Sequence, residues 1–205
     1  MRLLKSKEKK ERALGTKLGL KAYRCSSPKC ATIRRPSRPG MHGRKFVRGG
    51  SEFKLQLMEK QKIKVSYGLT ERQMKNIFKK ASESKKSAID FINQKLEMRL
   101  DSVVFRMGLT PSLIMARHLV SHGHFLVNGR KVTIPSYQVR VGDIVAVKEK
   151  MAQHLLFKDL KNILKVSKDS WFSIDPEKLE GKVKSMPQAV ELPFNINLVV
   201  DYYSR

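Results

Sequence analysis

Long apolar runs are missing from this 205-residue chain. No stretch approaches the roughly eighteen consecutive apolar residues that a bilayer-spanning helix needs. The beginning, MRLLKSKEKKER, is basic and lacks the apolar centre of a secretory signal, so we expect a cytoplasmic protein. Cysteine is scarce, with two residues in all. Two do not make a disulfide framework, and a reducing compartment would keep them as thiols. Aromatics are 7% of the chain, too few for base stacking to dominate recognition of a single strand. The scarcest class is acidic: 18 Asp and Glu face 43 Lys and Arg, a formal charge of +25. Such an excess repels itself unless a polyanion cancels it, which leaves nucleic acid or an anionic membrane as partner.

The charge is lopsided. Residues 1–50 hold 16 basic and 2 acidic residues, whereas residues 151–205 hold 8 and 7. A membrane-surface role would need a basic amphipathic helix, and the first fifty residues have the wrong pattern for one. Pro28, Pro36, Pro39, Gly40 and Gly43 preclude a long helix there. With few large apolar residues, this segment is expected to become ordered only on its partner.

Beyond residue 50 the pattern turns helical. SEFKLQLMEKQKIKVSYG places Phe53, Leu57 and Gln61 on one face and stops at Gly68. Thr70 opens TERQMKNIFKKASES with a T-x-x-Q capping-box pattern, with Met74, Ile77, Phe78 and Ala81 at helical spacing. SAIDFINQKLEMRLDSVVFRMG is expected to break between Glu97 and Leu100. A further helix is expected to begin at Thr110-Pro111, run through LIMARHLVSHG and end at Gly123. Asn128-Gly129 between HFLV and RKV predicts a hairpin, and Val141-Gly142-Asp143 turns the chain into a strand, IVAVKEK. AQHLLFKDLKNILKVS reads as a helix, strands follow near Trp171-Phe172 and Gly181 to Met186, and NINLVVDYYSR is apolar enough to dock on a core.

ARHLVSHGHFLVNGRKV carries three histidines, His118, His122 and His124. A metal helix of the H-E-x-x-H kind needs a glutamate between its histidines, and none is present. Capping or surface histidines are the bland reading. A helix face with Arg117, His118, Ser121 and His122, meeting a hairpin tip with Asn128, Arg130 and Lys131, instead suits phosphates and 2′-hydroxyls. Arg106 could join them. Phe46, Tyr67, Tyr137 and Phe125 could stack bases, but core packing is the simpler role for each.

RLDSVVFRMG…ARHLVSHGHFLVNGRKVTIPSYQVRVGD resembles the RNA-binding module named after ribosomal protein S-four. EKQKIKVSYGLTERQ, RRPSRPGMHGR, the Trp171 region and the terminal YYSR resemble the small-subunit ribosomal protein S-four family, of bacterial or organellar type, over residues 13–205. The resemblance implies an α+β fold: a basic N-terminal arm (1–45), a small helical domain (46–96, completed by 187–205), and an RNA-binding domain (97–186) of helices packed on a small antiparallel sheet, with the module at about 99–150. It implies a non-catalytic constituent of the small subunit that binds 16S-type rRNA early in assembly. It also implies contacts with the neighbouring S-five and S-three proteins and with mRNA where it enters the subunit. The arm would contribute Arg24, Arg34, Arg35, Arg38, His42, Arg44, Lys45 and Arg48 to RNA, and the helical domain Lys60, Lys62, Lys64 and Arg72. Some members hold structural zinc through two cysteine pairs. Here the second pair is Cys25 and Cys30, but Glu8 and Glu11 stand at the first, so zinc and other cofactors are not expected. Arg99-Leu100-Asp101 also resembles the catalytic segment of some pseudouridine synthases that carry this module. That makes an RNA-modifying enzyme the alternative, although the roughly 115 residues outside the RNA-binding domain (97–186), many of them in the basic arm, leave little for a catalytic domain.

Overall fold

A computed structural model describes residues 6–45, 50–84, 87–154, 157, 171–187 and 193–204. The chain divides into two compact units, residues 1–92 with 191–205, and residues 93–190.

In the first unit the arm is structured. Helix α1 (Lys7–Leu14) ends on Gly15 in the left-handed conformation, and α2 (Ala22–Cys25) and α3 (Ala31–Arg34) are short. A buried carboxylate joins α1 to the segment that follows it. Glu11 is buried and accepts hydrogen bonds from the amides of Leu18 (3.1 Å) and Leu20 (3.0 Å), with Leu20, Cys25 and Cys30 buried around it. Amides that a chain poor in large side chains would otherwise leave to water thus find a charged acceptor. The expectation that this segment orders only on a partner does not hold for residues 6–45.

Helix α4 (Glu52–Ser66) starts at Ser51, whose side chain accepts from the Lys54 amide. Its buried face is Gln56, Lys60 and Ile63, while Phe53 is 49% exposed. The face read from Phe53, Leu57 and Gln61 is therefore a correction. The last helix, α10 (Ile196–Ser204), packs on α4, and its Tyr202 ring lies 5.6 Å from the half-exposed Phe53 ring as well as over Lys60. Helix α5 (Glu71–Ser82) carries the full capping box. The Thr70 hydroxyl accepts from the Gln73 amide, and the Gln73 side chain accepts from the Thr70 amide. Such a cap contributes about 1 kcal/mol.

Lys60 lies at the centre of this packing. Its ammonium donates to Glu71 (2.8 Å) and to the Tyr202 hydroxyl (3.2 Å), and sits 4.3 Å from the Tyr202 ring centroid. Burial opposes the charge on Glu71, but hydrogen bonds from Lys60, Lys64 and Tyr203 outweigh it and hold the carboxyl at about 2. A carboxyl depressed in the fold stabilises it above the unfolded value of about 4.3 and loses that contribution as pH falls towards 2. Melting temperature should therefore drop between pH 5 and pH 2, and Glu71→Gln should flatten the drop. Parallel melting curves for the two proteins across that range would remove Glu71 as its cause.

In the second unit, α6 (Ala88–Glu97), which begins in the first, gives way to α7 (Leu100–Arg106). The break expected there is real. Arg99 is extended and bridges Gln138, the Val139 amide donates to the Met98 carbonyl (2.8 Å), and the Leu100 amide donates to that of Tyr137 (2.8 Å). Helix α8 (Leu113–Ser121) begins two residues later than Thr110-Pro111 suggests. Ser112 is the cap, its side chain accepting from the Met115 amide, and Thr110 and Pro111 precede the helix. Gly123 ends the helix at φ 73°.

Strands β1 (Phe125–Val127), β2 (Arg130–Lys131), β3 (Ile144–Val147), β4 (Phe172–Asp175) and β5 (Glu180–Val183) form one antiparallel sheet in the order β2-β1-β3-β5-β4. Asn128 and Gly129 turn the hairpin with φ 49° and 77°, as a two-residue turn with both φ positive requires. Phe125 pairs with Val147 and Val127 with Val145, so one face of the sheet is buried with Val103, Val104, Ala116 and Val120 of α7 and α8. A short α9 (Glu149–Ala152) follows β3; most of the helix expected over AQHLLFKDLKNILKVS lies outside the described residues.

Candidate nucleic-acid interface

Each unit presents cations of its own. In the first, Arg34 and Arg35 stand exposed at and just beyond the end of α3, followed by Arg38, His42, Arg44 and Lys45, all exposed. These last four sit on a tight turn. A Cβ built on Gly43 would lie 1.9 Å from the Arg38 carbonyl oxygen, so only glycine closes the loop this way. Arg24 is half exposed but shared, pairing with Glu8 (3.1 Å) and donating to the Lys29 carbonyl. Arg72 is exposed on α5. Arg48 lies outside the described residues.

Three lysines expected to face phosphates do not stand open. Lys60 is buried beneath the aromatic tail, which corrects its assignment to a backbone phosphate. Lys62 is held by Glu59 and Lys64 by Glu71 (2.8 Å). Acidic residues one helical turn away, or on the next helix, neutralise them, a pairing that charge counting along the chain does not reveal.

In the second unit the helix end and the hairpin do meet. The Lys131 stem crosses the backbone of Gly123, and His122 and His124 stack with ring centroids 6.0 Å apart. Burial, then the charges of His122, Lys148, His154 and Lys131, push the His124 imidazole below its ordinary value. His118, His122, Arg130 and Lys131 are exposed. Three other residues expected at this face are committed elsewhere. Arg106 makes a bidentate pair with buried Glu97 (2.8 and 2.9 Å). The Arg117 side chain is 15% exposed and points at Asp101, 3.8 Å away. Asn128 donates to Asp143 (2.8 Å) and accepts from the Ile144 amide (2.9 Å), tying hairpin tip to β3. Its role is to hold the turn.

Asp101 is 1% exposed, receives two hydrogen bonds from Arg99 (2.9 and 2.7 Å) and one from the Ser102 amide (3.1 Å), and so is an internal anchor. Tyr67 and Phe125 are buried as expected, Tyr137 is exposed and not in the core, and Phe46 lies outside the described residues.

Two domain models together match residues 2–145 and leave β4, β5 and α10 outside. "Ribosomal protein S4/S9 N-terminal domain" matches residues 2–97 and "S4 domain" matches residues 98–145. The small ribosomal subunit protein uS4 of Thermus thermophilus is 45% identical over 194 residues, 93% of either chain. The chain belongs to the S4 family of ribosomal proteins. Within the family, the small ribosomal subunit protein uS4A of Alkaliphilus metalliredigens is 46% identical over 195 residues, 93% of either chain. The uS4 protein of Magnetococcus marinus is 44% identical over 207 residues, covering 100% of this chain and 99% of its own.

The residues of this family member do not fit a zinc ion beside Cys25 and Cys30. Glu11 is consumed by two backbone amides and Glu8 by Arg24 and Lys21. The Cys25 thiol is pushed up by burial, and Cys30 sits 2.9 Å from the Thr32 hydroxyl. Among the described residues no group of three His, Cys, Asp or Glu could hold a metal, and no helix is long and apolar enough to cross a membrane.

The sequence reading missed the basic residues around α1, Lys7, Arg12, Lys21 and Lys29, which line one concavity with Arg24, Arg34 and Arg35. A charge run at Lys5 to Lys10 was the available signal, but only the fold brings Lys7 and Lys9 to the same concavity as α3.

Proposed function

We propose that this chain is a structural, non-catalytic constituent of the small ribosomal subunit that binds 16S-type rRNA directly in the cytoplasm. The observation that carries the reading is family membership over 93% of the chain, joined to exposed basic side chains on both units. On the first unit the gripping residues are Arg34, Arg35, Arg38, His42, Arg44, Lys45 and Arg72, and on the second His118, His122, Arg130 and Lys131. Phosphate contacts of this kind fix register on folded RNA without reading bases. Neighbouring ribosomal proteins of the S-five and S-three families, and mRNA entering the subunit, are the further partners the reading implies. No resident cofactor is part of it. The RNA-modifying alternative is disfavoured because Asp101 is enclosed by Arg99 and Arg117 and has no exposed face for a base.

Filter binding to a small-subunit rRNA fragment tests this. Arg130→Gln with Lys131→Gln should weaken binding and reduce the steepness of log K against log salt by about 1.5, two phosphate contacts' worth. If affinity and slope both stay at the parent's values, the hairpin is not a gripping surface.

A further inference from the structure

Within the first unit, α1, the segment after it and α3 surround a cavity of about 780 Å³. Its wall holds eight lysines and arginines and one carboxylate, Glu8. Glu8 is already shared between Arg24 (3.1 Å) and Lys21 (3.8 Å). Arg12 is fixed by donating to the carbonyls of Arg35 (2.8 Å) and Ser37 (2.9 Å), which holds the wall in shape without lowering its charge. Lys29, Arg34 and Arg35 have no carboxylate partner among the described residues and stand exposed at the rim. Open lysines scattered on a convex surface are solvated separately. Here the same charges face one another across a concavity, where repulsion adds up and low-dielectric walls focus the field. The crowding registers at Lys7, whose ammonium is pushed below its ordinary value by burial and by the charge of Lys21.

We propose that this cavity is a discrete site for a compact cluster of phosphates, several phosphoryl groups within a few ångströms, held by Lys29, Arg34 and Arg35 beside the tethered guanidiniums of Arg12 and Arg24. A single phosphate would leave most of the wall uncancelled. Guanidinium forks can take phosphoryl oxygens in pairs, and the lysines add mobile point charges. The inference deepens the RNA-binding reading and rests on it only for the source of the phosphates, which is either a nucleic-acid backbone folded into the cavity or a free oligophosphate.

The test titrates the RNA-free full chain with inorganic tripolyphosphate by calorimetry in about 0.15 M salt, where exposed charges more than a Debye length apart are screened. Saturable binding is expected. Lys29→Gln with Arg34→Gln, both at exposed positions, should weaken it by about tenfold or more, while Arg130→Gln with Lys131→Gln should leave it unchanged. Displacement of the tripolyphosphate by a small-subunit rRNA fragment identifies the phosphates as the RNA backbone's; RNA binding without displacement identifies a free oligophosphate as the ligand. No saturable binding, or equal weakening by both double variants, would overturn the site. RNA affinity that survives alongside failed tripolyphosphate binding removes the cavity site and leaves the ribosomal reading standing. Tripolyphosphate binding without RNA affinity does the reverse.

Discussion

Asp101→Ala is expected to destabilise residues 93–190 by about 3–5 kcal/mol, the cost of leaving a buried charge without its counter-ion. Asp101 is enclosed at 1% exposure, and its main partner, Arg99, is at 4%. Deleting the carboxylate strands that guanidinium where water cannot reach it, with Arg117 adding a second positive charge nearby. The Ser102 amide loses its acceptor at the start of α7 as well. Typical domains are stable by only about 5–15 kcal/mol, so the variant should sit near the edge of unfolding. Trp171, the one tryptophan, packs on the core of this unit and reports its urea transition. A companion change, Arg99→Met, removes the stranded charge and should recover part of the loss in a double-mutant cycle. A cost below about 1 kcal/mol would mean that water or rearrangement solvates Arg99 and that Asp101 is no anchor. A catalytic aspartate would behave in the opposite way, with the fold intact and only chemistry lost.

Affinity for small-subunit rRNA should fall by about a thousandfold or more between 50 and 200 mM salt, the behaviour of a protein that neutralises six or more phosphates. Eight lysines and arginines stand exposed at positions assigned to RNA: Arg34, Arg35, Arg38, Arg44, Lys45, Arg72, Arg130 and Lys131. Each phosphate they cover releases condensed counterions, contributing about −0.7 to −0.9 to the log–log slope. A slope shallower than about −3 would mean that most of these cations never reach a phosphate. Flotation with anionic vesicles at the same salt separates the remaining polyanion class. Vesicle binding as strong as that of RNA would contradict a nucleic-acid surface.

Local signals carried much of the fold. The capping box at Thr70, the Asn128-Gly129 hairpin, the break before Leu100 and the stop at Gly123 are set by neighbours within a few residues, and the structure has each where the pattern places it. The face of α4 was not legible, because Lys60 looks like a solvent residue until Glu71 on the next helix and Tyr202 on the last one take its ammonium, while buried Gln56 donates only to Glu52 on its own helix. The same reason divides the candidate site. Arg130 and Lys131, at a hairpin tip, could be read as open from local sequence, whereas Arg106 and Arg117 could not be told apart from them.

By itself, then, the sequence determined the sign and scale of the charge, the order of helices and hairpin, and the family, since each is written in composition or in short-range spacing. Only the tertiary structure decided which cations are spent on carboxylates and which remain to meet phosphate. It alone gathered Lys7, Lys29 and Arg34 around one cavity and buried Glu11 and Asp101 as internal anchors. The physical reason is that an ion pair depends on distance in space, and residues far apart in the chain come within a few ångströms only once the apolar faces have packed.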